Sequence, residues 1–411
     1  MTHVVVMVTT SYPRFPGDSV GTFMEPIAKS VVARGHQVHV VAPWHPLVTR
    51  GAQEDGIHFH FYKYAPVPAL NVFGYAAGMR ADESLRGAAY LAAPLALAAG
   101  WRAARAVARA NNATVVHGHW VVPGGITAAV AAPRLPLVVS LHGSDVYVAE
   151  TLAPARAAAR ATFARAGAIT ACSTDLARRA VALGADAARV TVIPYGVDVE
   201  KFHPDPSARS ETRNRAGIAA GVPMAFAAGR LVRKKGFEYL IDALAQPAAT
   251  SVVLALAGGG DLEGELRRRA ADAGVAERVR FLGVLTPDDV SAWLAAADVA
   301  VVPSVRDDTG NVDGLPNAVL EALASGTPLV TTTAGGIAAV VQDGRTAAVV
   351  PERDPGAIAA AIARLLADPA GGRELGSRAR GLMTTEFGWG RTAAALEAAY
   401  DRALAFKSSR R

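Results

Sequence analysis

Residues 299–336 place two short apolar runs on either side of an acidic loop and a helix, and this order constrains the fold most. The run that starts at Val299 is β-branched and brief, as expected of a buried parallel strand, and residues 329–333 form a second such run. Pro316 suits the first position of the helix between them, and Gly326 suits the left-handed residue after its end. Two buried strands joined through a helix form a βαβ unit, so the sequence predicts an α/β protein with parallel sheets.

Asp313 and Glu321 form a carboxylate-x7-carboxylate pair around the start of this helix. A helix N-terminus offers free N–H groups and the positive end of the helix dipole, so it favours a phosphate. Ionised carboxylates only accept hydrogen bonds, so they suit sugar hydroxyl groups. Together these groups predict a nucleotide-sugar site. The alternative is that both acids are solvated residues of a surface helix.

The order of strand, loop, helix and strand occurs on both sides of a polar segment at residues 204–215. Apolar runs at residues 4–9 and 38–42 flank a helix that starts near Phe23, and the run at residues 224–228 begins the second series. A chain of 411 residues exceeds one ordinary core, so we predict two domains with a boundary near Tyr195. Ligands of such sheets bind beyond the carboxyl ends of the strands.

Three features of the sequence bear on the cellular location of the protein. The single cysteine, Cys172, excludes an internal disulfide framework and fits a reducing compartment. The N-terminal apolar run resembles a strand more than a secretion signal. The longest apolar run, residues 87–101, contains Pro94 and is shorter than the roughly 20 residues that cross a bilayer. We therefore expect a cytoplasmic protein.

The net charge of +6 and the pI of about 9.6 have two explanations. Arginines spread over solvated helix faces are one. A weak peripheral attachment to the inner face of an anionic membrane, or attraction of anionic substrates, is the other. The sequence has no zinc-finger, basic-zipper or RNP-like pattern, so we predict no nucleic-acid partner.

Histidines follow two predicted strands, in H-G-H-W at residues 117–120 and in H-G-S-D at residues 142–145. We expect His117 and His119 to project to opposite faces of their strand, and no third ligand has a convincing spacing for zinc. The sequence therefore predicts no metal site. Taken alone, His142 fits a hydrogen-bonded structural histidine.

A basic loop and a glycine-rich loop follow the first two strands of the second series. Arg230 and Lys235 lie in the basic loop, where they can bind a diphosphate, although such a loop can also be merely solvated. The glycine-rich loop has a G-x-G-x3-G spacing from Gly258, which would also fit an NAD(P)-dependent oxidoreductase. That enzyme needs an acid after the next strand, where this chain has Gly283.

Five motifs, in the same order, resemble those of the family 4 retaining glycosyltransferases. D-G-L-P-N-A-V-L-E followed by A-L-A-S-G-T-P-L-V is similar to the family's E-x7-E signature, and G-R-L-V-R-K-K-G is similar to its diphosphate loop. H-G-S-D resembles a donor-sugar motif, Y-G-V-D-V-E-K-F-H-P an interdomain crossing, and S-Y-P-R-F-P-G-D-S-V-G-T-F a loop of bacterial polysaccharide-building or natural-product members. The chain departs from the family at Asp313, usually Glu, and at Ala338 and Ala339, usually Pro and Glu.

This resemblance implies a GT-B fold, in which two Rossmann-like domains with parallel sheets face a central cleft. Residues 1–195 would bind the acceptor and residues 196–385 the nucleotide sugar. Residues 386–411 would carry a helix, at about residues 391–407, that crosses back onto the first domain.

The resemblance also implies transfer of a hexose, with retention, from a UDP- or GDP-sugar to a saccharide, lipid-linked or small-molecule hydroxyl. No D-x-D motif is present, so neither a metal nor another cofactor is expected. The implied catalytic residues are His142, Asp313, Arg230 and Lys235. The implied donor contacts are Gly21, Arg230, Lys235, Phe281, Leu282, Gly283, Asp313, Gly314, Leu315, Pro316, Asn317 and Glu321, and those on the acceptor side are Tyr12, His119, Trp120 and Asp145.

Two other functions fit the same motifs. A GT-B nucleotide-sugar epimerase would turn over its donor without an acceptor. A catalytically impaired sugar-binding protein would show no turnover, and the departures at Asp313 and Ala339 keep this alternative open.

Overall fold

The computed structural model describes residues 2–67, 71–72, 74–75, 79–80, 84–85 and 87–409. The chain divides into two compact units, each an α/β layer structure built on a mainly parallel sheet. Unit 1 comprises Met1–Tyr195 and Trp389–Arg411, and unit 2 comprises Gly196–Gly388. The α/β class with two parallel-sheet units, predicted from the alternating strands and helices, is confirmed.

Unit 1 has an eight-stranded sheet in the order β10-β9-β8-β7-β1-β2-β4-β3, parallel except for β3. The first strands are β1 Val4–Val8, β2 Gln37–Pro43, β3 Gln53–Glu54 and β4 Ile57–Tyr62. A separate antiparallel pair is β5 Met79–Arg80 and β6 Ser84–Leu85. The sheet continues with β7 Val115–His119, β8 Leu137–Leu141, β9 Ala168–Ala171 and β10 Val190–Val192. The strand order reverses between β1 and β7, where ligands of such sheets bind.

Within the described residues, six α-helices of unit 1 precede the crossing to unit 2. They are α1 Met24–Ala33, α2 Gly87–Ala110, α3 Ile126–Ala131, α4 Ser144–Thr151, α5 Ala153–Arg165 and α6 Thr174–Ala182. In the described part of the chain, no helix is both long and apolar enough to cross a bilayer.

Unit 2 has a six-stranded, wholly parallel sheet in the order β13-β12-β11-β14-β15-β16. Its strands are β11 Met224–Ala228, β12 Val253–Ala257, β13 Val279–Gly283, β14 Val299–Val302, β15 Leu329–Thr331 and β16 Ala348–Val349. Its helices are α7 Ala208–Arg215, α8 Phe237–Leu244, α9 Glu263–Asp272, α10 Pro287–Ala296, α11 Asn317–Ala324, α12 Pro355–Ala367 and α13 Pro369–Glu386. Here the strand order reverses between β11 and β14.

The helix between β14 and β15 forms where the sequence predicts it, with one difference at its start. Pro316 has an extended backbone (φ −69°, ψ 123°) and is the N-cap, so Asn317 is the first helical residue. Gly326 has a φ of +67° just after the C-cap, as predicted. Trp293 anchors α10, because its ring stacks on that of Phe226 at 6.0 Å within the core.

The last helix, α14 Trp389–Ser408, packs on α1, β8 and β9 of unit 1. Its apolar side includes Tyr400, which is fully buried, and Leu396. The hydroxyl group of Thr392, near its start, donates to the carbonyl of Pro194 at 3.1 Å. The C-terminal helix therefore belongs to the core of the unit that contains the N-terminus.

Candidate active site

The loops after β11 and β14 of unit 2 adjoin, because these two strands pair where the strand order reverses. The N–H of Val305 donates to the carbonyl of Lys234 at 2.9 Å, which ties one loop to the other. Gly236 has a φ of +67°, and a Cβ added there would lie 2.1 Å from the carbonyl oxygen of Pro303. Only glycine fits this approach, so the sequence places the basic loop directly beside the acidic one.

Asp313 is held by two lysines of the basic loop. Lys235 Nζ lies 2.6 Å from one carboxylate oxygen, and Lys234 Nζ lies 3.3 Å from the other. Burial raises the pKa of Asp313, but the charges and hydrogen bonds of the two lysines outweigh it and lower that pKa to about 2. The carboxylate is therefore ionised at any physiological pH.

Lys234 is a site residue that the sequence-based prediction missed. It is only 6% exposed, and burial is the main reason why its pKa is lowered. The run R-K-K-G contains two adjacent lysines, and the family motif directed attention to Lys235. Lys234 is buried because it lies in a short 3₁₀ turn at Arg233–Lys235, and no pattern in the sequence predicts that turn.

Arg230 belongs to the same group of charges. It follows Gly229 at the end of β11, its side chain is exposed, and it interacts electrostatically with Asp313 and Asp261. Arg230, Lys235 and Asp313, predicted separately from two motifs, therefore lie close enough to influence each other. An arginine and a lysine at a strand-to-helix loop can bind the two phosphates of a nucleoside diphosphate.

Glu321 lies on α11 and is mostly shielded from solvent. Burial raises its pKa to about 7, and the charges of Lys235 and Lys201 partly oppose that rise. Among the residues that the structure describes, no side chain hydrogen-bonds or ion-pairs with this carboxylate. Its oxygens are thus available to hydroxyl donors, as expected for a group that binds a ribose.

The other predicted donor contacts follow strand ends on either side of this group. Asp313 is joined to α11 by Gly314, Leu315 and Pro316, of which Leu315 packs into the core, and Asn317 opens the helix. Phe281, Leu282 and Gly283 end β13, where the guanidinium of Arg267 lies 4.2 Å from the Phe281 ring centroid. Ala338 and Ala339 are exposed in a short 3₁₀ turn.

The glycine-rich loop after β12 is explained by packing. A Cβ at Gly258 (φ +139°) would lie 1.8 Å from the carbonyl oxygen of Gly229, and one at Gly260 (φ +157°) 2.6 Å from that of Leu231. The Gly258 N–H also donates to the carbonyl of Gly283 at 2.7 Å. These glycines let the loop lie against the basic loop, so they need no dinucleotide to account for them.

In unit 1, the expectation for the histidines of β7 was wrong. The strand continues through His119, and the rings of His117 and His119 lie on the same side with centroids 4.0 Å apart. Residues two apart in a strand share a face, so the opposite orientation could not have held. Among the described residues, no group of three or more histidines, cysteines or carboxylates has a metal-binding arrangement.

His142 stands in a hydrogen-bonded row of neutral groups. Its Nδ1 lies 2.6 Å from the hydroxyl of Tyr195, and its Nε2 lies 3.1 Å from His119 Nδ1. The Phe23 and Trp120 rings flank it, with centroid distances of 4.9 and 4.6 Å. Burial, with a smaller effect of His117, lowers the pKa of His142 to about 3. His142 is therefore a neutral hydrogen-bonding group, and Tyr195 is a second residue that the prediction missed.

Gly21 and Trp120, near this row, have backbone φ angles in the left-handed region. Gly21 has a φ of +67° in the turn before α1, and a Cβ there would lie 3.3 Å from Ser11 Oγ. Trp120 has a φ of +61°, and its partly exposed ring packs on Phe23 and His142. His119, by contrast, is fully buried. Of these three predicted residues, Gly21 and Trp120 have surface that a ligand can reach.

Tyr12 and Asp145 do not fit the acceptor contacts predicted for them. Tyr12 is fully buried against Phe59, with ring centroids 5.1 Å apart. Asp145 is 2% exposed, and its carboxylate accepts the backbone N–H groups of Val121, Gly143 and His142 at 2.7, 2.9 and 3.2 Å. Both residues therefore hold the loops in place, because sequence position at a strand end does not reveal which way a side chain turns.

Replacing Tyr12 with phenylalanine is expected to leave stability unchanged or to raise it by about 1 kcal/mol. The hydroxyl is buried and has no hydrogen-bond partner among the described residues, so its removal abolishes an unpaid desolvation cost. Urea unfolding of the two proteins measures the change. A loss of more than about 1 kcal/mol would show that the hydroxyl has a partner, such as a buried water.

Known proteins match both units of the chain. A family model described as Glycosyltransferase Family 4 matches residues 20–201, and one described as Glycosyl transferases group 1 matches residues 222–368. A GDP-mannose-dependent alpha-(1-6)-phosphatidylinositol monomannoside mannosyltransferase of Mycolicibacterium smegmatis is 35% identical over 256 residues, covering 62% of this chain and 66% of that protein. D-inositol 3-phosphate glycosyltransferase 1 of Catenulispora acidiphila is 33% identical over 312 residues, covering 71% of this chain and 72% of that protein.

A solved structure has the same fold along nearly the whole chain. Anabaena Alr3699/HepE in complex with UDP and glucose has a TM-score of 0.77 and is 21% identical, covering 98% of this chain and 100% of that one. The likeness extends over both units, including the last helix of the chain.

Proposed function

Because the chain belongs to glycosyltransferase family 4 and has the GT-B fold, we propose that it transfers a hexose from a nucleoside diphosphate sugar held by unit 2. Family membership makes the enzyme a retaining glycosyltransferase. The single observation that carries the donor assignment is the group of Arg230, Lys235 and Asp313 at the strand reversal, with Glu321 within electrostatic reach of Lys235. The relatives reported above give no support to an epimerase or an oxidoreductase.

The proposed donor is a guanosine or uridine diphosphate sugar, with GDP-mannose as the first to test. The mycolicibacterial relative is named for its dependence on GDP-mannose, and the Anabaena structure contains UDP. The proposed acceptor is a hydroxyl of a saccharide, an inositol-containing lipid or a small polyol, since the names of both relatives contain inositol.

The basic residues suit the departure of the diphosphate. Negative charge builds on the bridging oxygen as the bond to the anomeric carbon breaks, and Arg230 and Lys235 would stabilise it without a metal. Asp313 keeps the ammonium group of Lys235 in place at 2.6 Å, so this stabilisation is preorganised. Glu321 and the ionised Asp313 would accept hydrogen bonds from ribose and sugar hydroxyls.

The role of His142 in the proposed reaction follows from its neutral state. A histidine with a pKa of about 3 is a poor proton acceptor at neutral pH, so we assign His142 no general base catalysis. Both of its ring nitrogens are engaged, by the Tyr195 hydroxyl and by His119, so its proposed role is to orient the Tyr195 hydroxyl. The departing phosphate oxygen would then take the proton of the acceptor hydroxyl on the face from which it leaves. This front-face route retains the configuration without a protein nucleophile.

Nucleotide binding provides the direct test of the proposed donor. GDP or UDP at saturating concentration is expected to raise Tm, because a ligand that binds only the folded state stabilises it by mass action. The preferred nucleotide identifies the base, and its hexose conjugates with candidate acceptors then test transfer by product mass. Absence of a shift with either nucleotide would overturn the assignment, and turnover of donor without acceptor would indicate an epimerase.

The Asp313→Asn substitution is expected to lower the free energy of unfolding by about 3 kcal/mol at pH 7, because it removes the ionised group that Lys235 and the buried Lys234 share. The pKa of Asp313 is depressed from 3.8 to about 2, so its contribution is present above pH 3.8 and is lost as the pH falls through 2. Urea unfolding at several pH values measures this difference.

Asp313→Glu is the matched control, since it keeps the charge and restores the acid that the family motif usually has. It is expected to unfold at a higher urea concentration than Asp313→Asn and to retain more transfer. Equal instability of both variants would show that packing around residue 313, and not its charge, stabilises the loop.

A further inference from the structure

The outward face of α2 in unit 1 exposes large apolar side chains. Leu91 is 77% exposed, Leu95 49%, Leu97 37% and Trp101 38%. A helix on the surface of a soluble domain normally turns its large apolar residues to the core and its polar residues to water. Here the first half of the described helix does the opposite, so core packing does not explain these residues.

The inward face of the same helix is built from small residues. Ala92, Ala96 and Ala104 are buried at 2% or less, and a Cβ at Gly100 would lie 2.9 Å from the hydroxyl oxygen of Tyr62. The helix thus packs closely on the sheet through alanine and glycine, whereas its leucines face outward. Close packing through small residues leaves no room for the leucines on the inner side.

The apolar surface extends onto the neighbouring helix, α3. Trp101 Nε1 donates to the carbonyl of Val130 at 3.3 Å, and Val130 is 50% exposed. The Arg105 guanidinium lies 5.9 Å from the Trp101 ring centroid. We define the α2 surface as the exposed apolar residues Leu91, Leu95, Leu97, Trp101 and Val130 together with the exposed arginines Arg102 and Arg109 of α2.

Arginines continue this face toward the C-terminal end of α2. At 100° per residue, Arg102 and Arg109 lie on the same line along the helix as Leu91 and Leu95, and both are exposed. Residues 84–144 contain five arginines and not one aspartate or glutamate. Exposed leucines and a tryptophan, continued along the helix by exposed arginines, form a surface that is complementary to an anionic lipid bilayer.

We propose that the α2 surface binds the headgroup region of an anionic membrane, with the leucines and Trp101 inserted and the arginines on lipid phosphates. A second copy of this chain fits less well, because two such surfaces would bring their arginines together without acidic partners. A nucleic acid would leave the exposed leucines in water. Membrane binding through this face does not depend on which acceptor the enzyme glycosylates. A binding assay therefore tests it separately from the transfer assay.

Flotation of the full chain with lipid vesicles tests this assignment. At low salt the protein is expected to float with vesicles of phosphatidylcholine and phosphatidylglycerol, to float much less with phosphatidylcholine alone, and to be released by high salt. The double variants Leu91→Gln with Leu95→Gln, and Arg102→Gln with Arg109→Gln, are each expected to bind at least about tenfold more weakly. All four side chains are exposed, so these substitutions leave the fold intact.

Matched controls come from unit 2. Val284→Gln removes a side chain that is 62% exposed, and Arg345→Gln removes an exposed arginine, so both should float like the unsubstituted protein. Equal flotation of the α2 variants and the unsubstituted protein would overturn the proposal, as would absence of binding to anionic vesicles. A dimer in size-exclusion chromatography that the leucine variants convert to a monomer would assign the surface to self-association instead.

Discussion

Replacing Arg230 with alanine is expected to lower kcat/KM for sugar transfer by about 10²–10³-fold, while the protein stays folded. Arg230 is exposed after β11 and lies among the charges of Lys234, Asp313 and Asp261, where the leaving diphosphate is proposed to bind. Steady-state kinetics with the donor identified by thermal shift measure the loss. A decrease in kcat larger than the increase in KM would assign the arginine to the transition state.

Arg345→Ala is the control for this variant, because Arg345 is an exposed arginine of the same unit outside the proposed site. It should transfer at the unsubstituted rate and unfold at the same urea concentration. Full activity of Arg230→Ala would remove the basic loop from the mechanism. Instability of that variant would instead make Arg230 a structural residue.

Replacing Glu321 with glutamine is expected to abolish measurable transfer and to stabilise the protein without ligand at alkaline pH. The pKa of Glu321 is raised from 4.5 to about 7, chiefly by burial. A carboxyl group with a raised pKa contributes stability that is complete below pH 4.5 and is lost as the pH rises through 7. The substitution removes this loss, so the gain in unfolding free energy should reach about 1–3 kcal/mol at pH 8 and vanish near pH 4.

Urea unfolding across this pH range and donor titrations distinguish the two effects. Glu277→Gln, a change of an exposed acid in the same unit, is expected to alter neither stability nor transfer. A stabilised variant that still transfers sugar would show that Glu321 does not bind the donor. A variant with unchanged stability at pH 8 would show that the carboxylate is solvated.

Much of the fold was predictable from local patterns along the chain. The β-branched run at Val299, the glycine after α11 and the basic loop after β11 each form the element predicted for them, because short-range periodicity and backbone preference decide such features. The family motifs also located Arg230, Lys235, Asp313 and Glu321, which the structure brings within electrostatic reach.

The roles of several side chains depended on neighbours that no local pattern reveals. In unit 2, Lys234 pairs with Asp313, and in unit 1 the hydroxyl of Tyr195 is hydrogen-bonded to His142. Tyr12 and Asp145 are instead buried in unit 1. The prediction that His117 and His119 project to opposite faces of β7 was wrong, because residues two apart in a strand share a face. This periodicity is visible in the sequence.

The sequence alone determined the βαβ order, the positions of the loops and the family. The tertiary structure decided which side chains meet and which remain exposed, such as His117 beside Tyr400, 283 residues away, and the leucines of α2 outside their helix. Hydrogen bonding and backbone conformation act between near neighbours in the chain, so they leave a local signature. Burial and charge pairing arise between segments that are distant in sequence, so only the folded chain specifies them.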